Sequence, residues 1–405
     1  MTQSALAYAP STSTVSTAST TWYGPWNTEG ALTQLETSEA PTQAIWRGGA
    51  ATLTKMRVRV NTNARSTNTL VTARLNTADS ALIVTITGGG GPNTYVNMTD
   101  SMALADGDLW NYSIATSTGT GAVGMCIAAE IQVTTGQVSA PIATWGSLAF
   151  TAARFYMVGG GQFVSNTTET LALATALETC TLKNLQVYIR SNSSTGFTFK
   201  TRVNGADGTL TVSPGSAATG WFEDTTHTDS LAAGDTYCFT TTAPSATATV
   251  GYAGVKYTSA NANTCAINTN LVSNSPAAGA TAYFAMGGAK TSATEANCQH
   301  SMPFGGTISK LSARVFSNTS STASTLISRI NNSSASSTLT ITIPSATTSG
   351  VIQDTTNSDS FSATNTLDVQ FTGATTGPTT LQWVGALITA SSVSAVRRLT
   401  LLGVG

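Results

Sequence analysis

Charge is scarce in this chain. Eighteen Lys and Arg and 19 Asp and Glu make up 9% of 405 residues, against about a quarter in an ordinary soluble protein. The net charge is −1. No basic patch could neutralise many phosphates, so nucleic acid is not an expected partner. Histidine is nearly missing too: there are two, His227 and His300. They lie far apart and no nucleophile elbow accompanies them, so a Ser-His-Asp site has no support. No apolar run approaches the ~18 residues of a membrane span. The first 19 residues carry no basic segment followed by an apolar core, as a secretory signal would; they read as a flexible or surface-laid arm. The hydrophobic fraction of 41% is too high for a disordered chain. Five cysteines, Cys126, Cys180, Cys238, Cys265 and Cys298, show neither zinc nor redox spacing. They are expected as buried thiols, with a Cys265–Cys298 bridge left open.

What the chain does have is repetition. TLTKMRVRV at 52–60, TLKNLQVYI at 181–189 and TISKLSARV at 307–315 are variants of one phrase. An Arg-apolar-Asn pattern begins at Arg74, Arg202 and Arg329, spaced by 128 and 127 residues. Leu82, Leu210 and Leu339 open the next apolar run, and Asp-Ser pairs stand at Asp100, Asp229 and Asp359. A glutamate precedes each first strand, at Glu39, Glu169 and Glu295. A period near 128 is the length of a domain, far beyond a solenoid repeat of roughly 20–50 residues.

Within each copy the apolar residues alternate. Leu185, Val187 and Ile189 fall on one face of a strand, with Gln186, Tyr188 and Arg190 on the other. Met56, Val58 and Val60 repeat the inward set, with Arg57 and Arg59 outward; Leu311, Ala313 and Val315 do so again, with Arg314 outward. Period two marks half-buried strands. Turn clusters at roughly 8–12-residue intervals, including Asn204-Gly205, separate six to eight expected strands per copy. The expected fold is therefore all-β: three tandem antiparallel β-sandwich domains, jelly-roll-like, with an immunoglobulin-like sandwich as the alternative. Boundaries are expected at 1–19 for the arm, then 20–150, 151–279 and 280–405. The last segment ends in AVRRLTLLGVG, which resembles the opening strand of a further copy. Three similar domains could form a pseudo-trimer around a local threefold axis.

Candidate chemistry is thin. Asp224, Asp229 and Asp235 in the second copy match Asp354, Asp359 and Asn365 in the third, with Asp100, Asp106 and Asp108 in the first. Such oxygens could hold Ca²⁺, but capping of turns is the stronger reading. The GGGG run at 88–91 precedes Pro92 rather than a Lys-Ser/Thr pair, so it is no phosphate loop. No catalytic, cofactor-binding or metal-ligating residue is assigned, no cofactor is expected, and the chain reads as no enzyme. Trp22, Tyr23 and Trp26, set among polar neighbours, are candidate partner contacts, together with Arg397 and Arg398 in the closing segment. The remaining tryptophans read as packing.

The organisation resembles that of bacteriophage virion structural proteins of the capsid decoration, head-fibre or tail accessory kind. The residues that carry this are the Arg-Val-Asn-Gly-Ala-Asp stretch at 202–207, the Leu-Thr-Val run after it, and the Asp-Thr-Thr-x-x-Asp-Ser phrase at 224–230 and 354–360. The resemblance implies a non-enzymatic virion protein, assembled in the host cytoplasm, whose partners are a major capsid or tail protein. The alternative is a glycan-binding adhesin or receptor-binding module.

Overall fold

A computed structural model describes residues 3–10, 20–25, 38–117, 121–133, 139–158, 165–274, 276–286, 291–334, 337–346 and 350–391. Within them the chain is all-β, and its only helical pieces are three short 3₁₀ turns, Ala40–Thr42, Glu169–Leu171 and Glu295–Asn297. No helix among the described residues is long and apolar enough to cross a membrane.

Among the described residues the strands form six antiparallel sheets. The second copy shows the plan. One sheet orders its long strands Ser139–Phe150, Ala248–Ser259, Cys180–Asn192, Gly220–Leu231. The other orders Arg154–Tyr156, Thr236–Thr241, Phe199–Val203, Ala206–Val212. If these eight are counted along the chain, the sheets read 1-8-3-6 and 2-7-4-5. That interleaving is the eight-stranded jelly roll. The same order recurs from Gln3–Pro10 to Val123–Val133 and from Thr264–Asn274 to Thr379–Ala390. Two-residue strands, such as Ala174–Thr175, raise the second copy's total to ten, above the six to eight expected.

Sheet membership runs across the expected boundaries. Ser139–Phe150 pairs with Ala248–Ser259, and Thr264–Asn274 pairs with Thr379–Ala390. Cuts at 151 and 280 would therefore remove the first strand of a jelly roll from its own sheet. The expected N-terminal arm does the same service in the first copy: Gln3–Pro10 is an antiparallel edge strand on Val123–Val133. The reason is the jelly-roll topology itself, in which the first strand pairs with the last, roughly 120 residues away. No local signal announces that partner.

The alternation reads through. Met56, Val58, Val60, Leu185, Val187, Ile189, Leu311, Ala313 and Val315 are all buried. Each of these long strands also carries a bulge at the same place, at Lys55, Asn184 and Lys310, with φ of 52, 53 and 51°. The bulge adds one residue without flipping the inward set.

The repeat landmarks turn out to hold one another. Arg74 grips Glu39 with two hydrogen bonds, Nε to Oε1 at 2.6 Å and Nη2 to Oε2 at 3.2 Å. Arg202 grips Glu169 at 2.7 and 3.0 Å, and Arg329 grips Glu295 at 2.6 and 3.0 Å. Each pair ties the short 3₁₀ turn to a hairpin, and bidentate Arg–carboxylate bonding fixes both position and orientation. Every Arg also donates to a turn carbonyl three residues on, at Thr77, Gly205 and Asn332. Those carbonyls sit in tight turns whose central residues are left-handed: Asn76-Thr77, Asn204-Gly205 and Asn331-Asn332. The Asn of the pattern then accepts the N–H of Leu109, Thr236 or Thr366, each at 2.9 Å. The Arg-x-Asn spacing is thus the spacing of one clasp.

Beneath the clasp the copies differ. Asn111 occupies the position in the first copy and donates to Thr42 Oγ1 at 2.7 Å. Cys238 takes it in the second, its thiol pushed up to about 12 by burial. Asp368 takes it in the third, and burial together with the charge of Glu295 drives its carboxyl well above the usual range. The sign follows: a carboxyl whose folded pKa exceeds its unfolded one weakens the fold once the pH passes the unfolded value near 4. Asp368→Asn is therefore expected to raise stability at pH 7 and to bring no gain below about pH 4, as read from denaturant unfolding at both pH values.

Candidate assembly interface

The outward faces of the long-strand sheets were expected to meet solvent. Along their central strands they are partly or fully covered instead, because each sheet packs on another copy, while the edge strands keep exposed positions such as Val96 and Thr225. Arg57 is only 8% exposed, and its Nε donates to Ser301 Oγ of the third copy at 2.9 Å. Gln186, its counterpart in the second copy, donates from Nε2 to the Ile45 carbonyl of the first at 2.9 Å. The third copy reaches the second: Lys310 Nζ donates to the Leu177 carbonyl at 3.0 Å, and Gln382 Nε2 to that of Leu171. The direction is the same at all three junctions, first onto third, second onto first and third onto second. The contacts close a cycle.

Apolar packing follows the same cycle. Tyr252, on the outward face of the second copy's long-strand sheet, joins the apolar cluster of the first. Trp383 stands at the matching position in the third copy, fully buried, and packs with Leu387 into the core of the second. The first strands Gln3–Pro10, Ser139–Phe150 and Thr264–Asn274 each lie against the other two. Three equivalent sheet edges therefore meet along one line.

Polar chemistry distinguishes the junctions. Arg47 of the first copy forms two bonds to Glu223 of the second, at 3.1 and 2.6 Å, and one to Asp106 at 3.0 Å. The bond to Glu223 raises the pKa of this guanidinium. At the first-to-third junction His300, buried on the short strand His300–Ser301, has its pKa pushed down to about 4 by burial.

The acidic turn phrases have a structural task. Asp224 accepts the N–H groups of Thr211, Thr226 and His227 at 2.9, 3.0 and 3.1 Å, and Asp229 accepts that of Thr209 at 2.6 Å. Asp354 and Asp359 repeat this toward Thr340 and Thr338. These carboxylates cap the free edge of the neighbouring sheet. Burial opposes their ionisation, yet backbone N–H bonds hold Asp224 below the usual range, and the Asn357 side chain together with backbone N–H bonds does so for Asp354. His227 bonds to Asp224 through Nδ1 at 2.9 Å, and Asn357 bonds to Asp354 in the same way at 2.9 Å. The ladder register corrects one expectation: the residue opposite Leu53 is Met102, where Leu182 and Ile308 face Asp229 and Asp359. Asp100 matches His227 and Asn357 and accepts from Asn97 at 2.8 Å. Among the described residues no group of three or more His, Cys, Asp or Glu is gathered to hold a metal ion. All five cysteines are buried and outside any disulfide, so Cys265 and Cys298 form no bridge.

The expected partner contacts fare unevenly. Trp22 is half-buried in the strand Thr20–Tyr23, which pairs with Leu109–Thr116. Tyr23 lies on the same strand, opposite Tyr112. Trp26, Arg397 and Arg398, and the Tyr23 side chain, lie outside the described residues. So does the closing segment that resembles a further opening strand. Trp46, Trp110 and Trp383 are fully buried, and Trp221 packs on Tyr188 and Tyr252 with ring centroids 5.3 and 5.2 Å apart. These aromatics serve packing, as read from the sequence.

A surface that sequence reasoning missed sits on the first copy. Leu70, Ile83, Val96 and Met98 are 37–47% exposed. The Asn97 side chain donates to the Ile83 carbonyl at 2.9 Å, drawing the two edge strands together at one corner. Register places Thr198, Thr211, Glu223 and Thr225 at these positions in the second copy, and Thr325, Thr340, Gln353 and Thr355 in the third. An alignment of the three copies in this register would have exposed the contrast.

No family model matches the chain, and no curated protein matches it. A solved structure described as the triple jelly roll fold and turret assembly in an archaeal virus is similar across 95% of this chain and 91% of that one. The identity is 12% and the TM-score 0.19, a likeness too slight to transfer a function.

If the three copies depend on one another, loss of one outward plug should be felt by all. Trp383→Ala is expected to cost about 3–5 kcal/mol. Denaturant unfolding should remain a single transition at a lower midpoint; a separate early transition confined to the third copy would contradict the cycle.

Proposed function

We propose that this protein is a non-enzymatic structural component of a virus particle, of the bacteriophage decoration or appendage kind, binding a major capsid or tail protein. The observation that carries the reading is the closed cycle of junctions. One chain supplies three copies of a jelly roll, each plugged into the next in the same sense, so a monomer forms a body with approximate threefold symmetry. Such a body suits a site on a symmetric shell or tail, since similar faces recur around one axis.

The first copy breaks that symmetry with its apolar corner. Val96 faces Arg57 in the ladder and Met98 Sδ accepts from Arg57 Nη1 at 3.6 Å, so these two exposed apolar side chains are neighbours, and exposed apolar surface marks contact sites. Val96 stands in register opposite Arg57, whose guanidinium already bridges to the third copy, so the corner continues an existing junction outward. Its partner is an apolar face of the particle's shell or tail protein. In this reading assembly takes place in the host cytoplasm and the mature location is the virion.

Two measurements test this. Mass spectrometry of purified particles should find the chain at a fixed copy number, and its absence from particles would sink the proposal. The double variant Val96→Glu, Met98→Thr installs the residues of the second copy. It should fold with stability changed by no more than about 0.5 kcal/mol, yet bind particles at least tenfold more weakly. Undiminished binding would remove the corner from the interface.

A further inference from the structure

The junction between the first and second copies holds two lysines that face each other. Lys183 and Lys256 are directly opposite in the ladder between Cys180–Asn192 and Ala248–Ser259. Both are half-buried on the outward face of the sheet, which packs on the first copy. Like charges directly opposite one another in a sheet are unfavourable. The other copies avoid the conflict. In the first, Lys55 at the bulge pairs with buried Glu130 at 2.6 Å. In the third, Ser309 stands opposite Leu387, and Lys310 at the bulge is satisfied by the Leu177 carbonyl. In the second, neither ammonium has a hydrogen-bond or ion-pair partner among the described residues.

Lys256 also lines a small cleft between the copies, together with Arg47, Gln186 and Trp46. Arg47 is already engaged by Glu223 and Asp106. Asp106 is near enough to favour a charged Lys256, but burial and the charge of Lys183 outweigh it, bringing the amine down to about 8. The site therefore holds two opposed lysines whose burial and mutual repulsion outweigh the nearby carboxylate of Asp106.

We propose that the opposed lysines Lys183 and Lys256 bind a small oxyanion of the phosphate class beside this cleft, which Lys256 lines and Lys183 adjoins through the ladder. The bound anion would add to the counter-charge that Asp106 supplies only in part and join the first and second copies. Charge-assisted hydrogen bonds from two ammoniums in a partly dehydrated site favour such a ligand over chloride. Binding requires the protonated amine of Lys256, so affinity falls as the pH rises through about 8.

Inorganic phosphate serves as the probe, against sodium chloride at equal ionic strength, with the full chain. The thermal midpoint at pH 7 is expected to rise with the logarithm of phosphate concentration and not with chloride. Calorimetry above pH 8 in buffers of different ionisation heat should show net proton uptake on binding. Lys183→Ser and Lys256→Leu place the third copy's residues at these positions, where that copy folds with them. Each is expected to abolish the phosphate response and to leave the protein at least as stable as the parent in chloride. Lys200→Met, at a lysine paired with Asp207 elsewhere in the copy, should retain the response. A parent without a phosphate-specific shift, or a shift that survives both substitutions, would overturn the proposal.

Discussion

The rest of the structure depends on covering the central strands of the long-strand sheets on both faces. A jelly roll normally buries one face of each sheet and wets the other. Here the outward face of each long-strand sheet enters the neighbouring copy, with Tyr252 in one apolar cluster and Trp383 in another. A charge on such a face loses water on docking and must find a partner. Arg57 finds Ser301, and Glu223 finds Arg47 of the first copy. This constraint accounts for much of the poverty in charge. Where surface is shared among three copies, Thr, Ser, Gln and Ala can sit against another protein face at little cost, and unpaired lysines cannot.

Two kinds of interaction divide the work. The Arg–Glu clasps act within a copy and are nearly identical in all three, because they fix a turn to a hairpin at a point where geometry leaves little latitude. The junctions act between copies and differ, as a salt bridge at one, an Arg–Ser bond at another and Lys and Gln donated to carbonyls at the third. Copies joined head to tail in a cycle each see a different neighbour, so nothing forces their contacts to stay alike. The apolar corner of the first copy and the opposed lysines of the second arise from this freedom.

Much of the jelly roll was legible in the sequence. Alternation located the central strand of each long sheet, and turn residues located the hairpins. Arg74, Arg202 and Arg329 were visible as landmarks, and so were Glu39, Glu169 and Glu295; that they grip each other was not, since about 35 residues part each pair. The Asp-Ser match at Asp100 misled by two positions. A dipeptide can recur by chance, and only the ladder shows that Met102 holds the place of Asp229. Trp22 and Tyr23 stand among polar neighbours in the sequence, yet Trp22 is half-buried in a sheet.

By itself the sequence determined an all-β chain written three times, the inward set of each long strand and the turns that close each hairpin. These follow from local rules: a side-chain period of two, left-handed positions that favour Asn and Gly, and the cost of unpaired backbone groups. Only the tertiary structure decided that the first strand of each copy belongs with the last, that the outward faces plug into one another in a cycle, and which apolar side chains remain exposed. Those are contacts between residues distant in the chain, and their energies depend on what each surface meets, a quantity that no single stretch of sequence contains.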